Sequence, residues 1–109
     1  MIEGLWTVEF RTNIGGMGTG TLIFEKGRVA GGDAGYYYIG NYTLQGDKIS
    51  GEAKIQKYNP GHVSVFGPLE SGDLKLSGII QGIFLTASGT LAQSPNAVIT
   101  IKGIKRESF

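Results

Sequence analysis

The sequence predicts an all-β fold: one small up-and-down barrel of about eight antiparallel strands, a single domain over residues 1–109. Three observations carry that reading. Apolar and polar residues alternate with period two in segment after segment, as they do in a strand with one buried face. No window repeats apolar residues at i, i+3, i+4 and i+7 over the length of a helix. Finally, 19 of the 109 residues are glycine, more than twice the usual share of about 7%, and many fall on the apolar face of the proposed strands.

The elements follow in order. Gly4 to Arg11 is the first strand, with Gly4, Trp6, Val8 and Phe10 on one face and Thr7, Glu9 and Arg11 on the other. Thr19 to Glu25 repeats the pattern with Leu22 and Phe24 inward, and Lys26-Gly27 forms a tight turn into a short third strand around Val29. Tyr36 to Leu44 sets Tyr36, Tyr38, Tyr42 and Leu44 on one face. Gln45-Gly46-Asp47 turns into Lys48 to Tyr58, where Ile49, Ala53 and Ile55 alternate with polar residues. Asn59-Pro60-Gly61 opens the longest connection, which runs to Ser71-Gly72. Its His62–Phe66 piece reads either as a brief strand or as a helical turn. Asp73 to Ile80 then turns Leu74, Leu76 and Ile80 inward, and Ile83 to Leu91 turns Ile83, Leu85, Ala87 and Leu91 inward. Ser94-Pro95-Asn96 is the turn before the last strand, Ala97 to Arg106, with Ile99 and Ile101 inward.

The glycines choose among all-β architectures. Gly4, Gly18, Gly20, Gly31, Gly40, Gly51, Gly78, Gly89 and Gly103 share the apolar parity, so every strand contributes at least one. A glycine inside a strand marks a bend, a bulge or close backbone approach. Placed systematically on the concave side, glycines fit strands coiling tightly around an axis, hence a barrel whose interior either fills with side chains or holds one small ligand.

Composition removes several functions. Ten Lys and Arg against nine Asp and Glu leave a formal charge of +1, too little to hold a phosphate backbone, so direct nucleic-acid binding is not expected. With no cysteine, disulfides, thiolate zinc sites and cysteine nucleophiles are excluded. The N-terminal residues lack a basic segment followed by an apolar run, and no stretch nears the roughly 18 apolar residues of a membrane helix. A cytoplasmic protein without membrane insertion is the expectation.

Candidate chemistry is sparse. The single histidine, His62, has Ser64 two residues away and Asp73 further on, but that spacing does not make a triad. Asp33, Asp47, Glu70 and Asp73 are scattered over separate turns, where aspartates usually cap their own backbone, so no metal or other cofactor is expected. Gly15-Gly16-Met17-Gly18-Thr19-Gly20 matches neither the dinucleotide nor the Walker pattern, and no helix follows it. An enzyme is therefore not expected.

Two non-catalytic features remain. Tyr36, Tyr38 and Tyr42 with Trp6, Phe10 and Phe24 would line the interior, either filling it or leaving an aromatic cavity for an apolar small molecule or lipid. On the opposite parity, Leu5, Ile79, Phe84, Val98 and Ile104 face outward from strands one, six, seven and eight. A barrel makes neighbours of those strands, and contiguous exposed apolar surface points to a homodimer.

Gly4-Leu5-Trp6 with Phe10, Gly18-Thr19-Gly20-Thr21-Leu22-Ile23, Gly27 with Val29, Gly31-Gly32-Asp33, Tyr38 with Gly40, and Lys57-Tyr58-Asn59 together resemble the GrlR family of negative regulators associated with bacterial type III secretion. The match is clearest over roughly the first sixty residues. The resemblance implies a lipocalin-like barrel, homodimeric and cytoplasmic, that acts by binding a helix-turn-helix transcriptional activator. The best-known member contacts its partner through an exposed Glu-Asp-Glu-Asp run. The corresponding turn here is Gln45-Gly46-Asp47-Lys48, with a single acid beside a base, so steering to a basic partner would differ. Two functions from different classes follow: a regulatory module acting through protein contact, favoured by a solid interior, and a carrier or sensor of an apolar ligand, favoured by an open one.

Overall fold

Alternation makes a ribbon, and a barrel forms only if the last strand finds the first. A computed structural model, describing residues 2–67 and 69–109, shows that it does. The strands are β1 (Gly4–Thr12), β2 (Met17–Glu25), β3 (Arg28–Gly32), β4 (Tyr36–Gln45), β5 (Lys48–Lys57), β6 (Ser71–Gln81), β7 (Phe84–Leu91) and β8 (Ser94–Ser108). Each pairs antiparallel with the next, and β1 also pairs with β8 from Gly4↔Ser108 to Thr12↔Ile99. Closure gives every strand a partner on each side, although Met17–Gly20 of β2 and Thr43–Gln45 of β4 extend beyond the short β3 and pair on one side only.

Because successive strands reverse direction, the connections alternate between two ends. The upper end carries the β1–β2 and β3–β4 turns, the long β5–β6 connection and the β7–β8 turn. The lower end carries the β2–β3, β4–β5 and β6–β7 turns and the N-terminal residues. At the β2–β3 turn Lys26 and Gly27 both take positive φ, 51° and 80°, the twist that a two-residue hairpin needs.

The inward glycines sit where strands approach closely. A Cβ at Gly31 would stand 2.0 Å from Thr21 O, at Gly40 1.8 Å from Glu52 O, at Gly78 2.2 Å from Thr86 O and at Gly89 2.2 Å from Lys75 O. In each case the obstructing atom is a backbone carbonyl of the neighbouring strand, so no rotamer change relieves it. Missing side chains thus permit the tight coiling of a narrow barrel.

Trp6 anchors the core at the lower end. It is fully buried, its Nε1–H donates to Ile2 O at 2.8 Å, and its ring meets Phe24 edge to face with centroids 6.0 Å apart. Ile2 and Val8 belong to the same buried apolar cluster, which continues up the barrel through Ile101 and Ile99 to Leu91 near the upper end.

Four local expectations are corrected. Leu44, expected inward, is exposed at the lower end of β4, and Ile83, expected inward in β7, is an exposed turn residue before it. The turn into β8 is Ala92-Gln93, closed by the Leu91↔Ser94 pair, so Ser94-Pro95-Asn96 already belongs to the strand. The register shift there leaves Pro95 opposite no β7 residue, a place where its missing N–H costs nothing. His62–Phe66 is neither strand nor helix: a single bridge, Ser64↔Gly67, closes a turn.

Candidate functional site

Above the packed floor the barrel is hollow. A cavity of about 260 Å³ lies between the inward faces of the strands and the β5–β6 connection. It exceeds the roughly 150 Å³ that suffices for benzene and approaches the lower limit of ligand pockets, about 300 Å³.

Its walls follow from side-chain parity. Phe10, Phe24, Tyr36, Tyr38 and Tyr42 line it, joined by Leu22, Ile49, Ile55, Leu74 and Leu85. The rings interlock edge to face, Phe10 with Tyr38 at 5.7 Å and Phe24 with Tyr42 at 5.2 Å, which holds them against the wall. Of the six aromatic residues expected around a ligand, five are brought together there. Trp6 is the exception: it lies beneath Phe24 as floor packing and has no face on the cavity.

The roof is the connection from Tyr58 to Glu70, with His62, Val63, Ser64, Val65 and Phe66 facing the cavity. It is tied to three elements. Thr12 Oγ1 donates to Val65 O at 2.9 Å, Tyr58 Oη donates to Asp33 O at 2.6 Å, and the Tyr36 hydroxyl donates to Leu69 O. Two turn glycines admit the roof, since a Cβ at Gly16 would lie 1.9 Å from Val65 O and one at Gly35 2.4 Å from His62 Cβ.

One polar cluster stands at the rim. Asp33 Oδ1 accepts the Gly35 and Tyr36 backbone N–H groups, each at 2.9 Å, the self-capping expected of a turn aspartate. Its Oδ2 accepts the Tyr38 hydroxyl. Burial first, then the hydrogen bond to and charge of Asp33, push the Tyr38 hydroxyl well above its ordinary value. Tyr38 therefore stays a proton donor and Asp33 an acceptor. Sequence reasoning missed this pairing. The signal was available, because an inward tyrosine needs a partner for its hydroxyl and Asp33 is the acid just before that strand.

The remaining expected sites lie elsewhere. Gln45, Gly46, Asp47 and Lys48 form the exposed β4–β5 turn at the lower end, away from the roof. Of the outward apolar set, Phe84 pairs with Ile104, Ile104 with Thr7 two residues from Leu5, and Ile79 stands diagonally from Phe84. These four form a band around the lower end. Val98 pairs with Thr90 near the upper end and is separate from the band. A second outward row, unanticipated although the same parity rule contains it, runs in register through Leu5, Ile23, Ala30 and Ile39.

His62 and Ser64 both reach the cavity, whereas Asp73 accepts a hydrogen bond from Gln93 Nε2 on the β7–β8 turn. Among the described residues no three His, Asp or Glu side chains gather as metal ligands would, and no helix is long and apolar enough to cross a membrane. No protein-family model matches the chain, and no curated protein matches it significantly.

Proposed function

We propose that this chain is a non-enzymatic binding barrel that encloses one small, largely apolar molecule. The observation that carries the reading is the 260 Å³ cavity, walled by interlocked aromatic rings and roofed by a tethered loop. A packed interior would have left no such space. The test is calorimetric titration with octanol of the native protein and of Ala53→Phe, which sets a ring into the cavity from a buried wall position. Saturable binding by the native protein, lost in a folded Ala53→Phe variant, supports the reading. Failure of the native protein to bind, or equal binding by both, overturns it.

A second reading is a cytoplasmic, homodimeric negative regulator of transcription or secretion that works through protein contact, as the resemblance to GrlR-type regulators implies. The lower-end band of Leu5, Ile79, Phe84 and Ile104 favours it, because Ile79 pairs with Lys48 of the β4–β5 turn. The candidate dimer surface and the candidate partner turn are thus continuous. The two readings are compatible, since a ligand inside the barrel and a partner outside it occupy different surfaces.

A further inference from the structure

We propose that the cavity selects its ligand by charge, taking an apolar molecule whose polar end donates a hydrogen bond, best a primary amine, and rejecting apolar carboxylates of the same length. This inference rests on the reading of the cavity as a ligand site and specifies the ligand's class.

The argument is a census of charge around the cavity. Among the described residues no Lys or Arg lines it, and the carboxylates at its wall are those of Asp33 and Glu52. Glu52 lies on the outward parity of β5, and its exposed side chain is 3.9 Å from Lys75 outside the barrel. Lys57 has inward parity at the upper end of β5 but turns to Glu70 at 3.8 Å and does not line the cavity. Among the described residues, the lining side chain of a basic type is the His62 imidazole in the roof. The fixed charge facing the apolar space is therefore the Asp33 carboxylate.

That carboxylate is preorganised and not saturated. An ionised carboxyl group offers about four lone-pair sites, and three are filled, by the Gly35 and Tyr36 amides and the Tyr38 hydroxyl. Oδ2 takes a single protein donor, the hydroxyl of Tyr38, whose ring forms the wall with Phe10. An alkyl ammonium lying against these rings can complete the set with a charge-assisted hydrogen bond. A carboxylate in the same pose would lose its water, meet no lining Lys or Arg and face a like charge. An alcohol can donate without charge and belongs between them. By proportion to the benzene-sized cavity, the space holds about ten non-hydrogen atoms, which matches an eight-carbon chain with its head group.

The experiment titrates octylamine, octanol and octanoate into the native protein, Asp33→Asn and His62→Gln. In native protein and in His62→Gln, octylamine is expected to bind at least about tenfold tighter than octanoate, with octanol between. In Asp33→Asn the amine and carboxylate are expected to converge while octanol still binds. Tyr38→Phe, which frees a lone pair on Asp33 and leaves its charge, is expected to keep the amine preference if Asp33→Asn disturbs the turn. Octanol binding with no preference for amine over carboxylate overturns the inference and leaves the ligand site standing. An amine preference that persists unchanged in a folded Asp33→Asn variant also overturns it. No binding of any of the three overturns both.

Discussion

Replacing Gly40 by alanine pits two opposed effects against each other, and the distances decide the sign. Gly40 lies within β4 without a positive φ, so alanine is conformationally allowed and should stabilise by about 0.5–1 kcal/mol through the unfolded chain. The new Cβ, however, would stand 1.8 Å from Glu52 O and 2.7 Å from Ala53 Cα, where ordinary contact begins at 3.4 Å. The carbonyl is in β5, held between β4 and β6, so relief requires parting two paired strands by about 1.6 Å at that point, the shortfall of 1.8 Å against 3.4 Å. Overpacking of this kind costs about 1–3 kcal/mol, and a strained ladder puts this site at the upper limit. We expect a net loss of about 2 kcal/mol. With a urea m-value of about 1 kcal/mol/M, the unfolding midpoint falls by about 2 M. The assay is urea unfolding followed by the fluorescence of Trp6, the single, fully buried tryptophan. Gly18→Ala is the control, because its Cβ would meet side chains and no backbone, Val65 at 3.3 Å and Phe10 at 3.8 Å, and its midpoint should hold or rise slightly. A Gly40→Ala midpoint at or above the native value would refute the link between inward glycines and strand approach.

Three further predictions follow from the site and the surfaces. Because the Tyr38 hydroxyl is held above its ordinary 10.0 by burial and by Asp33, the folded chain keeps a proton that the unfolded chain loses. Its stability is then fully present below about pH 10 and falls above it, by up to about 1.4 kcal/mol per pH unit. Tyr38→Phe should reduce that slope in urea titrations across alkaline pH, and an equal slope in both proteins contradicts the assignment. Thr12→Val removes the hydroxyl that donates to Val65 O and accepts from Gly16 N, at a cost of about 1–2 kcal/mol. Limited proteolysis should then cut faster between Tyr58 and Glu70, and an unchanged rate argues against the tether. Phe84→Lys places a charge in the lower-end band and should halve the mass of a homodimer in sedimentation without unfolding it; an unchanged mass speaks against that surface as the dimer contact.

What the sequence made legible was parity and order. Val8, Phe10, Leu22, Ile55 and Leu85 all lie on the face that alternation assigns them, because a half-buried strand admits only that pattern. Height along the barrel axis was not legible. Leu44 and Ile83 have inward parity but sit at the lower rim, where the wall no longer covers them, and Val98 shares parity with Ile104 yet lies near the opposite end. Trp6 illustrates the same gap, for its inward parity did not distinguish floor from cavity wall. The roof escaped alternation altogether. Side-chain and backbone hydrogen bonds to Asp33, Ala34, Gly35 and Thr12 hold it, and these join positions distant in sequence that no local pattern encodes.

The central claim, an apolar cavity inside the barrel able to hold a small molecule, is tested most directly by diffraction from a crystal pressurised with xenon, which seeks dry apolar cavities. The account predicts a xenon site among Phe10, Phe24, Tyr42, Ile55 and Leu85 beneath the roof. An interior without xenon, filled by the repacked rings of Tyr38 and Tyr42, would contradict it.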